Sequence, residues 1–242
     1  MKDFQTQSMQ DSSAVAYKSN AIQSGAIDAP DYYPSTASHL RHDDFARATK
    51  RLIDMVGSLI IIIFALPLWL VIGLAVKLQD GGPIIFRRRV VGATGEFDAF
   101  KFRSMRLDAD AILREDPRLR AEFERNYKLV NDPRITKIGG FLRRKSLDEL
   151  PQLFNVLRGE MSLVGPRMIT LPELTKYGSS NNLLLTVKPG LTGYWQVEGR
   201  QTTTYEERVR MDVFYIDNWS LLLDLKILVK TPLIVLMGQG AY

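Results

Sequence analysis

Hydrophobic positions are unevenly spread along the chain. Residues 1 to about 45 mix Ser, Gln, Asp, Ala and Thr with isolated aromatics (Phe4, Tyr17, Tyr32, Tyr33). They show neither a helical nor an alternating period, which is the composition of a segment that cannot bury a core, so a disordered tail is expected. The pattern then inverts. Arg47, Lys50 and Arg51 lead into residues 55–76, a run of 22 positions without one ionisable side chain. A helix of that length measures about 33 Å, enough to cross a hydrocarbon core of about 30 Å. The run starts too far into the chain, and is too long, for a secretory signal, so it is expected to be retained.

Two features shape this membrane segment. Pro67 deletes one backbone hydrogen bond and crowds the carbonyl of Ile63, so a kink is expected there. Basic residues also flank both ends: Arg47, Lys50 and Arg51 before it, then Lys77, Arg87, Arg88, Arg89, Lys101, Arg103 and Arg106. Because positive residues mark the cytoplasmic side, the first expectation is a re-entrant hairpin that bends at Pro67 and returns to the face it entered. A spanning helix with a proline kink satisfies the same length, and the residues alone leave both open.

After the turn signal Gly81-Gly82-Pro83, residues 84–103 read as a hairpin around Gly92-Ala93-Thr94-Gly95. Residues 108–130 are densely charged, with Leu113, Leu119, Phe123 and Tyr127 at near-helical spacing, and Pro117 divides them into two helices. Leu150, Leu153, Phe154 and Leu157 form one stripe of a helix over 148–158. Residues 205–237 end in an apolar stretch interrupted by Asp224, Lys226, Lys230 and Pro232. That stretch suits a helix in the headgroup plane, with Tyr215 and Trp219 as interfacial anchors, and equally a buried core helix. The expected fold class is α+β and mostly helical. A tail (1–45) precedes a re-entrant membrane helix hairpin broken at Pro67 (46–80), and a small cytoplasmic-face domain with interfacial amphipathic helices (81–242) follows.

Composition narrows the chemistry. With 242 residues, 45% hydrophobic and 24% charged, the chain supports one main domain plus accessories. A net charge of +5 favours an anionic surface or ligand without requiring nucleic acid, and none is expected. There is no cysteine, and the two histidines, His39 and His42, both lie in the tail. Disulfides, thiolate metal sites and cysteine nucleophiles are therefore excluded, and the core has no histidine for a Ser-His-Asp triad. The sequence also contains no G-x-G-x-x-G, Walker A or H-E-x-x-H motif. The reacting group must be a carboxylate, a hydroxyl, a lysine or a bound cofactor.

The most informative local feature is Asp148-Glu149, set between Arg143-Arg144-Lys145 and Pro151. Paired carboxylates beside cations suit phosphoanion chemistry, in which one carboxylate attacks or holds a metal while the cations neutralise substrate charge. A purely structural reading makes Asp148 a helix N-cap and Glu149 a first-turn residue, because Pro151 is tolerated only in a first turn. The two readings are compatible, since helix N-termini bind phosphate. Arg167, on the turn Gly165-Pro166-Arg167, grips a phosphate or simply decorates a surface turn. Lys101 and Arg103 share one side of a strand and face either ligand or solvent. The loop Pro189 to Gln196 suits close backbone approach to a ligand or an ordinary turn. Asp108-Ala109-Asp110 has the D-x-D form of metal-dependent glycosyltransferases, but on a charged helix it fits a solvent-facing position better.

Taken in order, these blocks have a collective likeness: Lys50-Arg51-x-x-Asp54, Lys101-Phe-Arg-Ser-Met105, Asp132-Pro-Arg-x-Thr136, Leu142-Arg143, Ser146-Leu-Asp-Glu-Leu-Pro-Gln152, Gly165-Pro-Arg167, Pro189-Gly-Leu-Thr-Gly193 and Trp219-Ser-Leu. From about residue 47 to the C-terminus the chain resembles the bacterial sugar transferases, the monotopic polyprenyl-phosphate phosphoglycosyl transferases. It is most similar to their short exopolysaccharide-initiating type, the undecaprenyl-phosphate galactose or glucose phosphotransferases. The resemblance implies a two-step transfer on the cytoplasmic face of the bacterial inner membrane. Asp148 would attack the sugar-bearing phosphate of a UDP-sugar and expel UMP, and undecaprenyl phosphate would capture the phosphosugar. Glu149 would hold Mg²⁺. Lys101, Arg143 and Arg167 would stabilise phosphate charge, with Arg103 and Gln196 as further substrate contacts. The implied partners are the UDP-sugar, undecaprenyl phosphate, the membrane and a second copy of the chain. The sequence departs from the family pattern at Met168, where a second proline is usual, and at Arg88 and Val90, where glutamine and arginine are usual. On the residues alone, a non-catalytic membrane scaffold and a UDP-releasing glycosyltransferase built on Asp108 and Asp110 stay open.

Overall fold

The computed structural model describes residues 44–126, 129, 131–199 and 203–237. The tail expected over residues 1–45 lies outside them up to residue 43. Helix α1 (Asp44–Asp80) contains the whole apolar run and is helical through Pro67. Arg51, Asp54, Ser58, Ile62, Ala65, Trp69, Ile72 and Val76 are all buried or half-buried and recur every three or four positions. They therefore form one face that meets the rest of the protein along the full length of the helix. The other faces are uncovered, with Phe64 82% exposed. Polar groups fasten the N-terminal half. Asp54 Oδ1 accepts from Ser162 Oγ (3.0 Å) and from the Leu163 N–H (2.9 Å). Arg51 donates to the carbonyls of Val156 and Leu157 at 2.6 and 2.8 Å. In the C-terminal half, Trp69 meets Phe102 and Phe154 edge-on, with centroids 6.0 and 5.4 Å apart.

The expected hairpin is present. Strands β1 (Ile85–Gly92) and β2 (Gly95–Phe102) pair antiparallel, closing at Gly92↔Gly95. Gly95 takes φ +99°, a conformation that disfavours any side chain. Pro117 divides the charged region as expected, into α2 (Ala109–Glu115) and α3 (Pro117–Asn126). Tyr127 lies outside the described residues. Thr136 then caps α4 (Lys137–Arg144), its Oγ1 accepting from the Gly139 N–H at 2.9 Å.

Helix α4 lies so close to the segment after β2 that a Cβ on Gly139 would stand 1.9 Å from the Ser104 carbonyl oxygen. Gly139→Ala is therefore expected to destabilise the protein by about 3 kcal/mol, because both colliding groups are backbone and neither can rotate away. Thermal unfolding of the purified protein in detergent checks this, and an unchanged midpoint would refute the close packing.

The helix expected over 148–158 is two pieces, a 3₁₀ turn (Leu147–Gln152) and α5 (Leu153–Arg158). Pro151 has no N–H and crowds the carbonyl four residues back, so an α-helix cannot run through it, whereas a tighter turn can. A second, parallel two-stranded sheet pairs β3 (Ser162–Val164) with β4 (Gly190–Thr192). The crossover between them holds α6 (Leu171–Leu174), a 3₁₀ turn (Thr175–Ser180) and α7 (Asn181–Leu184). Gly190 packs backbone to backbone, where a Cβ would come 2.1 Å from the Gly165 nitrogen. The glycines of that loop thus serve contact within the fold.

The chain ends in α8 (Tyr194–Glu198), α9 (Tyr205–Asp217) and α10 (Leu221–Met237). Leu153, Val156, Met161, Val164, Ile169 and Ile216 centre the main core. A smaller core joins Ile72, Val76, Phe102 and Leu142 under α1. Helix α10 buries Asp224 and Ile227 and leaves Leu222, Leu225, Val229, Leu233 and Leu236 exposed, so it is not a buried core helix. The two expected interfacial anchors turn inward instead. Tyr215 is buried and donates to Asp224 Oδ1 (2.7 Å), and Trp219 Nε1 donates to Asp224 Oδ2 (3.1 Å). Lys50 donates to the same oxygen at 2.5 Å. The cause of the difference is Asp224 itself, a buried carboxylate that needs donors.

Candidate active site

Ser146, at φ +51°, turns the chain sharply between α4 and the 3₁₀ turn. It is Ser146 that occupies the N-cap position, so Asp148 is not the cap. Asp148 and Glu149 lie within the first turn, with Asp148 only 5% exposed and the Glu149 side chain 16% exposed. The short turn delivers both carboxylates against strand β2. There, Lys101 Nζ donates to Glu149 Oε1 at 2.6 Å. Arg167 Nη2 stands 4.0 Å from that same oxygen. Arg143, in the last turn of α4, is held by its Nε donating to Ser104 Oγ (2.9 Å). The Asp132-Pro-Arg-x-Thr136 block builds the support for α4: Arg134 forks onto Asp132 at 2.8 and 2.7 Å, both side chains buried, and Thr136 caps the helix.

These surroundings separate the two carboxylates. Burial pushes Asp148 above the ordinary carboxylate range, and the charge of Glu149 pushes the same way, against Lys101 and Arg143. Glu149 is driven down to about 2; burial opposes this, but Lys101, Arg167 and Arg143 together outweigh it. A firmly ionised carboxylate beside a desolvated, more basic one is the division of character expected where two acids have different tasks.

Asp148, Glu149, Lys101, Arg143 and Arg167 are thus brought together. Arg103 is not: β2 ends at Phe102, and the buried Arg103 turns to the end of α1, where it pairs with Asp80 and donates to the Pro83 carbonyl (2.7 Å). Gln196, on α8, donates to the Leu191 carbonyl at 3.2 Å and makes no hydrogen bond to the carboxylate pair. Asp108 and Asp110 are exposed, and both oxygens of Asp108 are taken by Arg106 at 2.8 Å. Among the described residues, no group of three or more His, Cys, Asp or Glu is gathered for a metal.

Sequence reasoning missed several members of the site. Arg88 reaches Glu173 Oε2 at 3.3 Å and lies within electrostatic range of Glu149, Arg143 and Arg167. Its signal was countable, because the Gly92↔Gly95 turn fixes Arg88 on the same face of the hairpin as Lys101. Arg167 also lies over the Trp195 ring (5.7 Å), and Arg208 lies over the same ring at 5.4 Å. Behind them Tyr177 donates to the buried Asp212 (2.8 Å), whose carboxyl burial pushes up to about 6. Apart from Arg208 and Asp212, one turn apart on α9, no linear spacing links these residues, which come from separate parts of the chain.

The sequence model of the family described as bacterial sugar transferase matches residues 45–238. The chain is 51% identical over 203 residues to an uncharacterized sugar transferase of Haemophilus influenzae, covering 81% of this chain and 43% of that protein. It is 48% identical over 202 residues to the undecaprenyl-phosphate galactose phosphotransferase of Salmonella typhimurium, covering 81% and 42%. It is 43% identical over 199 residues to the exopolysaccharide production protein ExoY of Sinorhizobium fredii, covering 80% and 88%. The chain thus spans less than half the length of the first two relatives and most of the third. Since the matched span runs from the first turn of α1 to the end of α10, and so contains the carboxylate pair with every cation around it, the chain belongs to the bacterial sugar transferase family.

Proposed function

We propose that this protein transfers a hexose 1-phosphate from a UDP-sugar to undecaprenyl phosphate and releases UMP, as a first membrane step of exopolysaccharide or capsule synthesis. The observation that carries the reading is the buried Asp148 beside an ionised Glu149, enclosed by Lys101, Arg143 and Arg167. In the first step a carboxylate oxygen of Asp148 attacks the sugar-bearing phosphorus. The bond from that phosphorus to the bridging oxygen breaks, and UMP departs with the electron pair. In the second step a phosphate oxygen of undecaprenyl phosphate attacks the same phosphorus, the aspartyl–phosphorus bond breaks, and the lipid-linked diphosphosugar forms. The cations stabilise negative charge that is greatest as the phosphoryl group passes between oxygens. Galactose and glucose are the sugars of choice.

Two adjacent carboxylates, one still partly exposed, suit Mg²⁺, which binds through one or two carboxylates and completes its shell with water and substrate phosphates. Glu149 would hold it, and the ion would neutralise diphosphate charge. The test uses the full chain in detergent or nanodiscs with undecaprenyl phosphate and a panel of UDP-sugars. UMP release that stops on chelation of divalent ions is expected; UDP as the product would overturn the reading.

The same site must meet a soluble donor and a lipid acceptor, which supports a monotopic placement on the cytoplasmic face of the inner membrane. Lys50, Arg51 and Asp54 at one end of α1, and Trp69, Val76 and Asp80 toward the other, all bind the same body. A helix crossing the bilayer would have to pull one or the other of these sets away from its partners. The uncovered apolar faces of α1 and α10 are left for lipid. Single cysteines placed at either end of α1 are expected to resist an impermeant reagent in intact cells together; labelling of one end alone would count against the monotopic placement.

A further inference from the structure

We propose that Arg88 is an additional phosphate-binding residue of this site, directed at the diphosphate of the nucleotide donor, and that Glu173 is the residue that positions it. The inference rests on the transferase reading and extends it to a side chain no motif assigns.

Strand register supplies the first argument. Phe86 pairs with Lys101 and Arg88 with Ala99, and residues paired across an antiparallel ladder share a face. Arg88 and Lys101 therefore leave the hairpin on one face as diagonal neighbours, about 7–8 Å apart. The second argument is how little of the guanidinium is used. Among the described residues its one hydrogen bond is the 3.3 Å contact to Glu173 Oε2. That oxygen already accepts from the Thr170 N–H (2.9 Å) and the Thr170 hydroxyl (3.0 Å), in the capping box that opens α6. A planar fork with five N–H donors is thus tethered through one long, shared bond.

Exposure gives the pair a direction. The Glu173 side chain is 6% exposed, but that of Arg88 is 32% exposed, so the accessible partner is the cation. Its electrostatic neighbours are Glu173 and Glu149 on one side of the balance and Arg167 and Arg143 on the other. Burial holds Arg88 below the usual guanidinium range. Desolvating a guanidinium beside two more is costly, and an arriving anion offsets that cost. Lys101 is already matched by Glu149 at 2.6 Å. A monophosphate could be held by Arg143 and Arg167 alone, whereas a diphosphate spreads its charge over two phosphorus centres and leaves a place for Arg88.

The experiment measures UDP binding and UMP-release kinetics on the full chain in nanodiscs. Arg88→Gln is expected to weaken UDP binding, and to raise KM for the UDP-sugar, about tenfold, with KM for the prenyl phosphate and the melting midpoint unchanged. Arg88→Lys should recover part of the loss as a point charge. Glu173→Gln keeps the capping acceptor but removes the charge that competes for Arg88, so it should tighten UDP binding about two- to threefold. Equal losses in Arg88→Gln and Glu173→Gln would mark a merely structural ion pair and overturn the proposal. So would a loss confined to the prenyl phosphate. If the wild type releases UMP and Arg88→Gln matches it in every constant, the assignment fails while the function stands; a wild type that binds no UDP sinks both.

Discussion

Replacing Asp148 by asparagine is expected to abolish UMP release, by on the order of 10⁴-fold or more, while leaving the protein at least as stable as before. The first half follows from inventory. Among the described residues there is no cysteine and no histidine, and Asp148 is the buried, raised carboxylate that stands beside Glu149 within the influence of Lys101 and Arg143. An amide of the same shape cannot form the aspartyl–phosphorus bond. The second half follows from linkage. A carboxyl whose folded pKa exceeds its unfolded value contributes stability that is fully present below the unfolded pKa and lost as pH rises through the folded one. Neutral pH lies above the unfolded pKa, where the raised carboxyl costs the folded state stability, and a neutral amide relieves that cost. The two readouts are UMP release and the melting midpoint at pH 7.5. Incubation with a donor labelled in its sugar phosphate should leave label on the wild type and none on the variant. Full turnover by the variant would remove Asp148 from the reaction.

How far the sequence reached is best seen in residues that share a spacing but not a fate. Lys101 and Arg103 both sit where strand alternation places a side chain on one face, yet Lys101 meets Glu149 while Arg103 meets Asp80. Alternation is a local rule, and what separated them was the end of α1 arriving from outside the strand. Pro117 ended a helix where expected, because proline acts on its own backbone. Pro151 acted locally too, forcing a 3₁₀ turn, but the cap fell to Ser146, two residues before Asp148, because its left-handed φ starts the turn earlier than composition suggests. Tyr215 and Trp219 carried the composition of interfacial anchors, and one buried carboxylate, Asp224, drew both inward. The carboxylate pair was legible since its members are adjacent. Arg88, Trp195, Arg208 and Asp212 join the site only through tertiary contact, and of these the hairpin register alone made Arg88 countable.

Lys101→Gln is expected to lower UMP release by about 10²- to 10³-fold and to move the acid limb of its pH profile upward. Lys101 does two jobs at once. It donates to Glu149 at 2.6 Å, and its charge is the leading influence holding the Asp148 pKa down against burial. Without it, desolvation and the neighbouring Glu149 charge act on Asp148 with Arg143 and a backbone hydrogen bond as the remaining opposition, so the nucleophile takes up its proton at a higher pH. Glu149 responds in the opposite sense for stability. Its folded pKa, about 2, lies below the unfolded value, so it contributes stability present above the unfolded pKa of 4.5 and lost as pH falls through about 2. Removing Lys101 weakens that contribution at neutral pH, so this variant should melt earlier than wild type, where Asp148→Asn does not. Lys101→Arg, which keeps the charge, should hold the acid limb near its original place even if activity drops through altered geometry. Matching pH profiles for wild type and Lys101→Gln would mean that the ammonium does not govern Asp148. The melting comparison would still report its bond to Glu149, so the two roles of one lysine can be told apart.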